Sequence, residues 1–205
     1  IEEKFKDFRT GDIQTLQELS EPISQKVEIA KERKNVDHTY MVFGYKTPNR
    51  SNPDSFVLDI IRAILGGGMS SRLFNEIRLK RALAYTVGVQ HDPNRTFGYF
   101  AVYLSTDKKN VELCKDIIIK EFKALEEITQ QDLENAKTYI EGQFLLENED
   151  NAKRADNMSS FEISSSHEIF ESFLKHINSV KIEDVKRVGR QYLNEFYTLV
   201  TIEEK

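Results

Sequence analysis

The sequence predicts an α+β domain, an antiparallel sheet with helices packed on one face, from three observations. Residues 84–106 hold two alternating β-rich runs, AYTVGVQHD and FGYFAVYLST, separated by the turn-forming PNRT. Further strand-like runs lie near residue 40 and near residue 200. From Lys108 onward apolar residues recur at helical spacing almost to the last strand, so strands interrupted by two helices precede a helical block.

Taken in order, residues 26–47, KVEIAKERKNVDHTYMVFGYKT, read as two strands with the charged KERKN as the turn between them. The polar TPNRSNPD then breaks the pattern and leaves Asp54 or Ser55 to cap a helix. Val57, Ile60, Ile61 and Ile64 give that helix a core face, and Gly66 stops it. Beyond the triple glycine, Ser70 and Ser71 offer a second cap, and Leu73, Phe74 and Ile77 form one apolar stripe.

After the hairpin, a helix is expected from about Asn110 to Glu127. Thr129 and Asp132 have capping-box spacing and open another, with Leu133, Ala136, Ile140 and Phe144 on its inner face. Residues 152–179 divide into two shorter helices. Val185, Val188 and Tyr192 mark a last helix before the closing strand FYTLVTI.

At 205 residues the chain suits one full-sized core. A formal charge of -5, with Lys and Arg interleaved among Asp and Glu, argues against a nucleic-acid partner, whose phosphates attract clustered cations. No window approaches the ~20 apolar residues of a membrane span. The single cysteine, Cys114, sits in an apolar helical run and reads as a small buried hydrophobe. The opening IEEKFKDFRTGD lacks the features of a signal peptide, which leaves the cytoplasm as the default compartment.

Imidazole is the commonest ligand of catalytic zinc, but His38, His91, His167 and His176 include no pair at i, i+4 spacing with an intervening glutamate. They read as hydrogen-bonded structural residues, and no metal site is expected in this chain. GGGMSS follows a helix rather than a strand and lacks a following Gly-Lys-Ser/Thr, so it is no phosphate loop. No Gly-x-Ser-x-Gly elbow supports a serine nucleophile.

The segment LGGGMSSRLFNEIRLKRALAY, residues 65–85, resembles the signature of the C-terminal domain of insulinase/pitrilysin-type zinc peptidases, a family that includes the mitochondrial processing peptidase and bacterial relatives. GYKTPNRSNPD, the helix before LGGG, and ITQQDLENAKTYIEGQFLLENED match that domain in order and spacing, so the resemblance covers nearly the whole chain. It implies a processing-peptidase-type, metallohydrolase-like fold.

In that family an arginine on the second helix and a tyrosine seven positions later face the catalytic chamber and bind substrate; the matching positions are Arg78 and Tyr85. The family often has Arg-Gly-Leu-Ala-Tyr where this chain has Arg81-Ala82-Leu83-Ala84-Tyr85, and alanine would be strained wherever the backbone needs positive φ. The catalytic zinc belongs to a His-x-x-Glu-His motif in the N-terminal domain, a pentapeptide this sequence lacks.

The resemblance therefore implies that residues 1–22 are the tail of a preceding domain and a linker, and residues 23–205 the C-terminal substrate-binding domain. The chain would be the zinc-free half of a zinc metalloendopeptidase, inactive alone. Its partners would be a peptide or unfolded segment and the zinc-binding domain or partner subunit, with a dimer also open. The rival reading is a non-catalytic scaffold or substrate-holding homologue. A stand-alone small-molecule enzyme would need a local ligand cluster that the sequence does not offer.

Overall fold

Alternation of burial along the central strands sets the architecture. In the computed structural model, which describes residues 2–7, 11 and 24–205, β2 (Thr39–Thr47) turns Met41, Phe43 and Tyr45 inward and Tyr40 and Val42 outward. The hairpin β3 (Ala84–Pro93) and β4 (Gly98–Thr106) and the last strand β5 (Thr198–Glu204) join it, and Phe100, Val102, Leu104 and Leu199 point to the same core. The expected tail and linker, residues 1–22, lie for the most part outside the described residues; within them Glu2–Phe5 form a one-turn helix, α1.

The strand order is β1-β5-β2-β4-β3, with β1 spanning Glu28–Lys34. Two expectations are corrected by it. KERK is strand, not turn, and β1 does not pair with β2: β5 lies between them, parallel to β1 and antiparallel to β2. The physical reason is edge protection. Every residue of β1 is exposed, and a row of Lys, Glu and Arg on an outer strand resists pairing with another chain. The sheet is thus antiparallel except at this one outer pair.

Among the described residues helices cover the inner face only. α2 (Asp54–Gly66) is buried on nearly every side, because the sheet lies below it and α4 (Gln130–Glu147) and α7 (Ile182–Tyr192) lie against it. Neither Asp54 nor Ser55 caps it; the helix begins at Asp54, whose N–H donates to Asn52 Oδ1 at 2.9 Å. Asp54 instead turns its carboxylate to Arg187 and Tyr192 of α7. Ile61 is fully buried, so Ile61→Ala is expected to cost ~2–5 kcal/mol in a denaturant titration. A loss within the error of that titration would show that the helix can rotate to refill the site.

The remaining helices follow their periodicity. α3 (Val111–Lys123), extended by a 3₁₀ turn over Ala124–Glu127, buries Cys114, Ile118 and Phe122. Thr129 and Asp132 form the expected capping box at the start of α4. α5 (Asn151–Ser164), capped by Asp150, and α6 (His167–Ser179) complete the block. Phe144, Phe161 and Phe173 join α4, α5 and α6, with ring centroids 5.2 and 5.7 Å from Phe173.

Among the described residues no helix lies on the other face of the sheet. Tyr40, Val42, Tyr103 and Val200 are all more than a third exposed there, and Val200, Val42 and Tyr103 are direct cross-strand neighbours. Tyr103 lies over Gly88 so closely that a Cβ at that position would sit 2.3 Å from the ring. A continuous apolar band therefore crosses the open face.

Candidate substrate-binding site

The segment from Ser70 to Thr86 departs from regular geometry three times in succession, and the three departures place Arg78 and Tyr85. The expected cap at Ser70 or Ser71 is not formed; the Ser71 hydroxyl donates back to the Gly68 carbonyl at 2.8 Å, and the Asn75 amide donates to the Ser70 and Ser71 carbonyls. The helix that follows is π-wound over Phe74–Leu79, with Lys80 N–H reaching the Asn75 carbonyl at 2.9 Å. Such widened turns cluster at functional positions. Leu73 and Ile77 are fully buried and anchor it.

The second departure is Ala82, which has φ of 51°, in the left-handed region. Its N–H bonds to the Arg78 carbonyl at 3.1 Å, and Leu83 N–H bonds to the Ile77 carbonyl at 2.9 Å, so the alanine reverses the chain at the helix end as glycine commonly does. A Cβ in this conformation costs about 1–2 kcal/mol. Ala82→Gly is therefore expected to raise stability by up to ~1 kcal/mol, net of the freedom glycine adds to the unfolded chain. The check is a higher denaturant midpoint at unchanged slope.

The third departure is a bulge: Ala84 pairs with Thr106 and Thr86 with Ser105, which leaves Tyr85 as the extra residue. A bulge re-aims the side chain it carries, and Tyr85 is 82% exposed. The Arg78 guanidinium lies 4.9 Å from the centroid of the Tyr85 ring and 4.9 Å from that of Phe74, held between two aromatic faces.

Charge partners separate Arg78 from its neighbours. Arg72 pairs with Asp132 at 3.1 Å, while Lys80 and Arg81 both bind Glu76, whose carboxyl they hold below the usual carboxylate range by hydrogen bonding. Among the described residues, Arg78 alone of these four cations has no carboxylate within ion-pair distance. An exposed phenol hydroxyl beside a guanidinium without a counter-charge is a donor set suited to carbonyl or carboxylate oxygens.

One further polar cluster escaped the sequence reading. His91 Nδ1 lies 2.8 Å from Asp59 Oδ1, and Arg50 donates to Asp59 Oδ2 at 2.7 Å, all three side chains being nearly or fully buried. Burial alone would raise the Asp59 carboxyl, but the Arg50 guanidinium and His91 outweigh it and hold the group well below the usual range. Asp59 and His91 are 32 residues apart, and no local pattern links them.

The other histidines are dispersed. His167 bonds Glu162 at 3.0 Å, His176 stacks on Phe56, and His38 lies in the bend before β2 rather than in a strand. Among the described residues no three His, Cys, Asp or Glu side chains converge as a metal ion requires, so zinc has no fitting donor set there. No helix among them is long and apolar enough to cross a membrane.

The chain is 27% identical over 173 residues to an uncharacterized zinc protease of Bacillus subtilis, covering 83% of this chain and 42% of that protein. It is 30% identical over 169 residues to an uncharacterized zinc protease of Mycobacterium bovis, covering 80% and 38%. It thus spans about two fifths of the length of these relatives. A protease from Helicobacter pylori shares the fold at a TM-score of 0.89 and 20% identity, over 98% of this chain and 50% of that one. The inactive peptidase domain of a zinc protease from Bordetella parapertussis does so at 0.72 and 19%, over 84% and 96%. The sequence pattern of the Peptidase M16 inactive domain matches residues 1–140, and the chain belongs to that family.

Proposed function

We propose that residues 23–205 form the zinc-free half of a zinc metalloendopeptidase, with residues 1–22 as the tail and linker from a preceding domain. The catalytic zinc would be held by a His-x-x-Glu-His motif on that domain or on a partner subunit. Substrate is a peptide or unfolded segment, enclosed between the two halves against the open face of the sheet. The observation that carries the reading is the unpaired Arg78, stacked on the bulged, exposed Tyr85.

In this arrangement Arg78 donates from a permanently charged, planar fork to peptide carbonyl oxygens, and the two flanking rings limit its rotamers. Tyr85 adds one neutral O–H donor. Both stabilise negative charge as it builds on the attacked carbonyl oxygen. Tyr40, Val42, Tyr103 and Val200 offer apolar surface to an extended chain without selecting its sequence.

The direct test is separation of the halves. This chain, purified after chelation, is expected to retain no stoichiometric zinc and to cleave no peptide, and adding the upstream domain restores cleavage. Tight stoichiometric zinc on this chain alone would overturn the reading.

A further inference from the structure

A cavity of about 410 Å³ opens beside the outer edge of β3 and is lined by Arg62 of α2, His91 of β3, and Phe144, Glu147, Phe161 and Phe173 of the helical block. Several of its polar groups have no partner among the described residues. His91 Nε2 is buried without a hydrogen bond. Neither Arg62 nor Glu147 forms an ion pair or side-chain hydrogen bond among the described residues. Arg50 and Asp59, which also line the cavity, already satisfy each other.

Their chemistry defines one ligand. The His91 side chain is fully buried and bound to Asp59, so it backs the cavity wall and does not face a ligand. The missing complement is therefore an anion for Arg62 and an apolar group for the phenylalanine wall. A carboxylate and an apolar side chain meet on a single carbon at the last residue of a peptide. Glu147, exposed at the same cavity, disfavours a second negative charge on that residue.

We propose that this cavity binds the C-terminal carboxylate of a peptide, with Arg62 as its anchor. Resting on the substrate reading given above, it acts as a subsite: from Tyr85 to His91 the outer edge of β3, unpaired among the described residues, runs roughly 20 Å, about six residues of extended chain. A substrate whose scissile bond lies at Arg78 and Tyr85 would place its C terminus in the cavity when about six residues follow that bond.

The probe is a fluorescently labelled extended peptide with an apolar last residue, prepared with a free C-terminal carboxylate or a C-terminal amide, and titrated by anisotropy. The free acid is expected to bind the chain about tenfold tighter or more, and Arg62→Gln, at a half-buried position, to abolish the difference. Arg78→Ala should weaken both forms and leave their ratio intact, so failure of the substrate site and failure of the cavity read out separately. Equal binding of acid and amide by the wild type, or a ratio that survives Arg62→Gln, overturns the proposal. An amidated peptide with an internal glutamate that binds as tightly as the free acid overturns the C-terminal assignment.

Discussion

In the full-length or reconstituted protein, Arg78→Ala is expected to lower peptide turnover by ~10²–10³-fold, the usual loss when a donor aimed at developing negative charge is removed. Zinc content and melting temperature should hardly move, because Arg78 has no carboxylate partner and is anchored only by two ring faces. Tyr85→Phe is the finer probe: it keeps the ring that supports Arg78 and deletes the hydroxyl alone. A fall in kcat with KM unchanged would place that hydroxyl at the transition state, whereas a rise in KM alone would make it a ground-state contact. Parental kinetics for Tyr85→Phe would reduce Tyr85 to a support for the guanidinium.

The largest stability effect is expected at Asp59. Asp59→Asn keeps the shape but leaves the Arg50 charge buried with no counter-charge, and breaking a buried pair in this way costs about 3–5 kcal/mol. The sign with pH follows from the depressed carboxyl. Its stabilisation is fully present above the unfolded-state value of about 4 and is lost as pH falls through the folded-state value below it. Wild type and Asp59→Asn should therefore differ most near neutrality and converge in strong acid. A constant gap across that range would mean that the variant acts through packing rather than charge.

Much of the fold was legible because its signals are local. The alternation on either side of PNRT, the Thr129–Asp132 box and the stripe Val185, Val188, Tyr192 each lie within a few residues and match the structure. The KERK part of β1 was read as a turn because charged residues are poor strand formers, and only the long-range partner β5 makes it extended. Arg78 and Tyr85 were singled out as candidates by resemblance, but the backbone that positions them was not legible. A π-wound turn and a one-residue bulge depend on hydrogen-bond register, which composition does not encode. Ala82 is the exception, since its departure from the glycine common at that position marked the strained backbone correctly. The Arg50–Asp59–His91 cluster was invisible for a different reason: three elements must meet before any of its members is buried.

The position of β5 has a consequence for how the chain becomes a protein. Among the described residues β1 pairs only with β5, which also supplies one of the two neighbours of β2, and β5 is the last of the five strands to leave the ribosome. Until then the β3–β4–β2 meander can form, while β1 waits with nothing to template it. Its charges serve a second purpose in that interval, keeping an orphan strand soluble through most of the synthesis of the domain. Closure of the sheet is thereby a late, long-range event, so refolding in vitro should be slower than the many local helices would suggest. A nascent or truncated chain ending before Thr198 would expose two strand edges at once, which makes it the form most prone to misassociation.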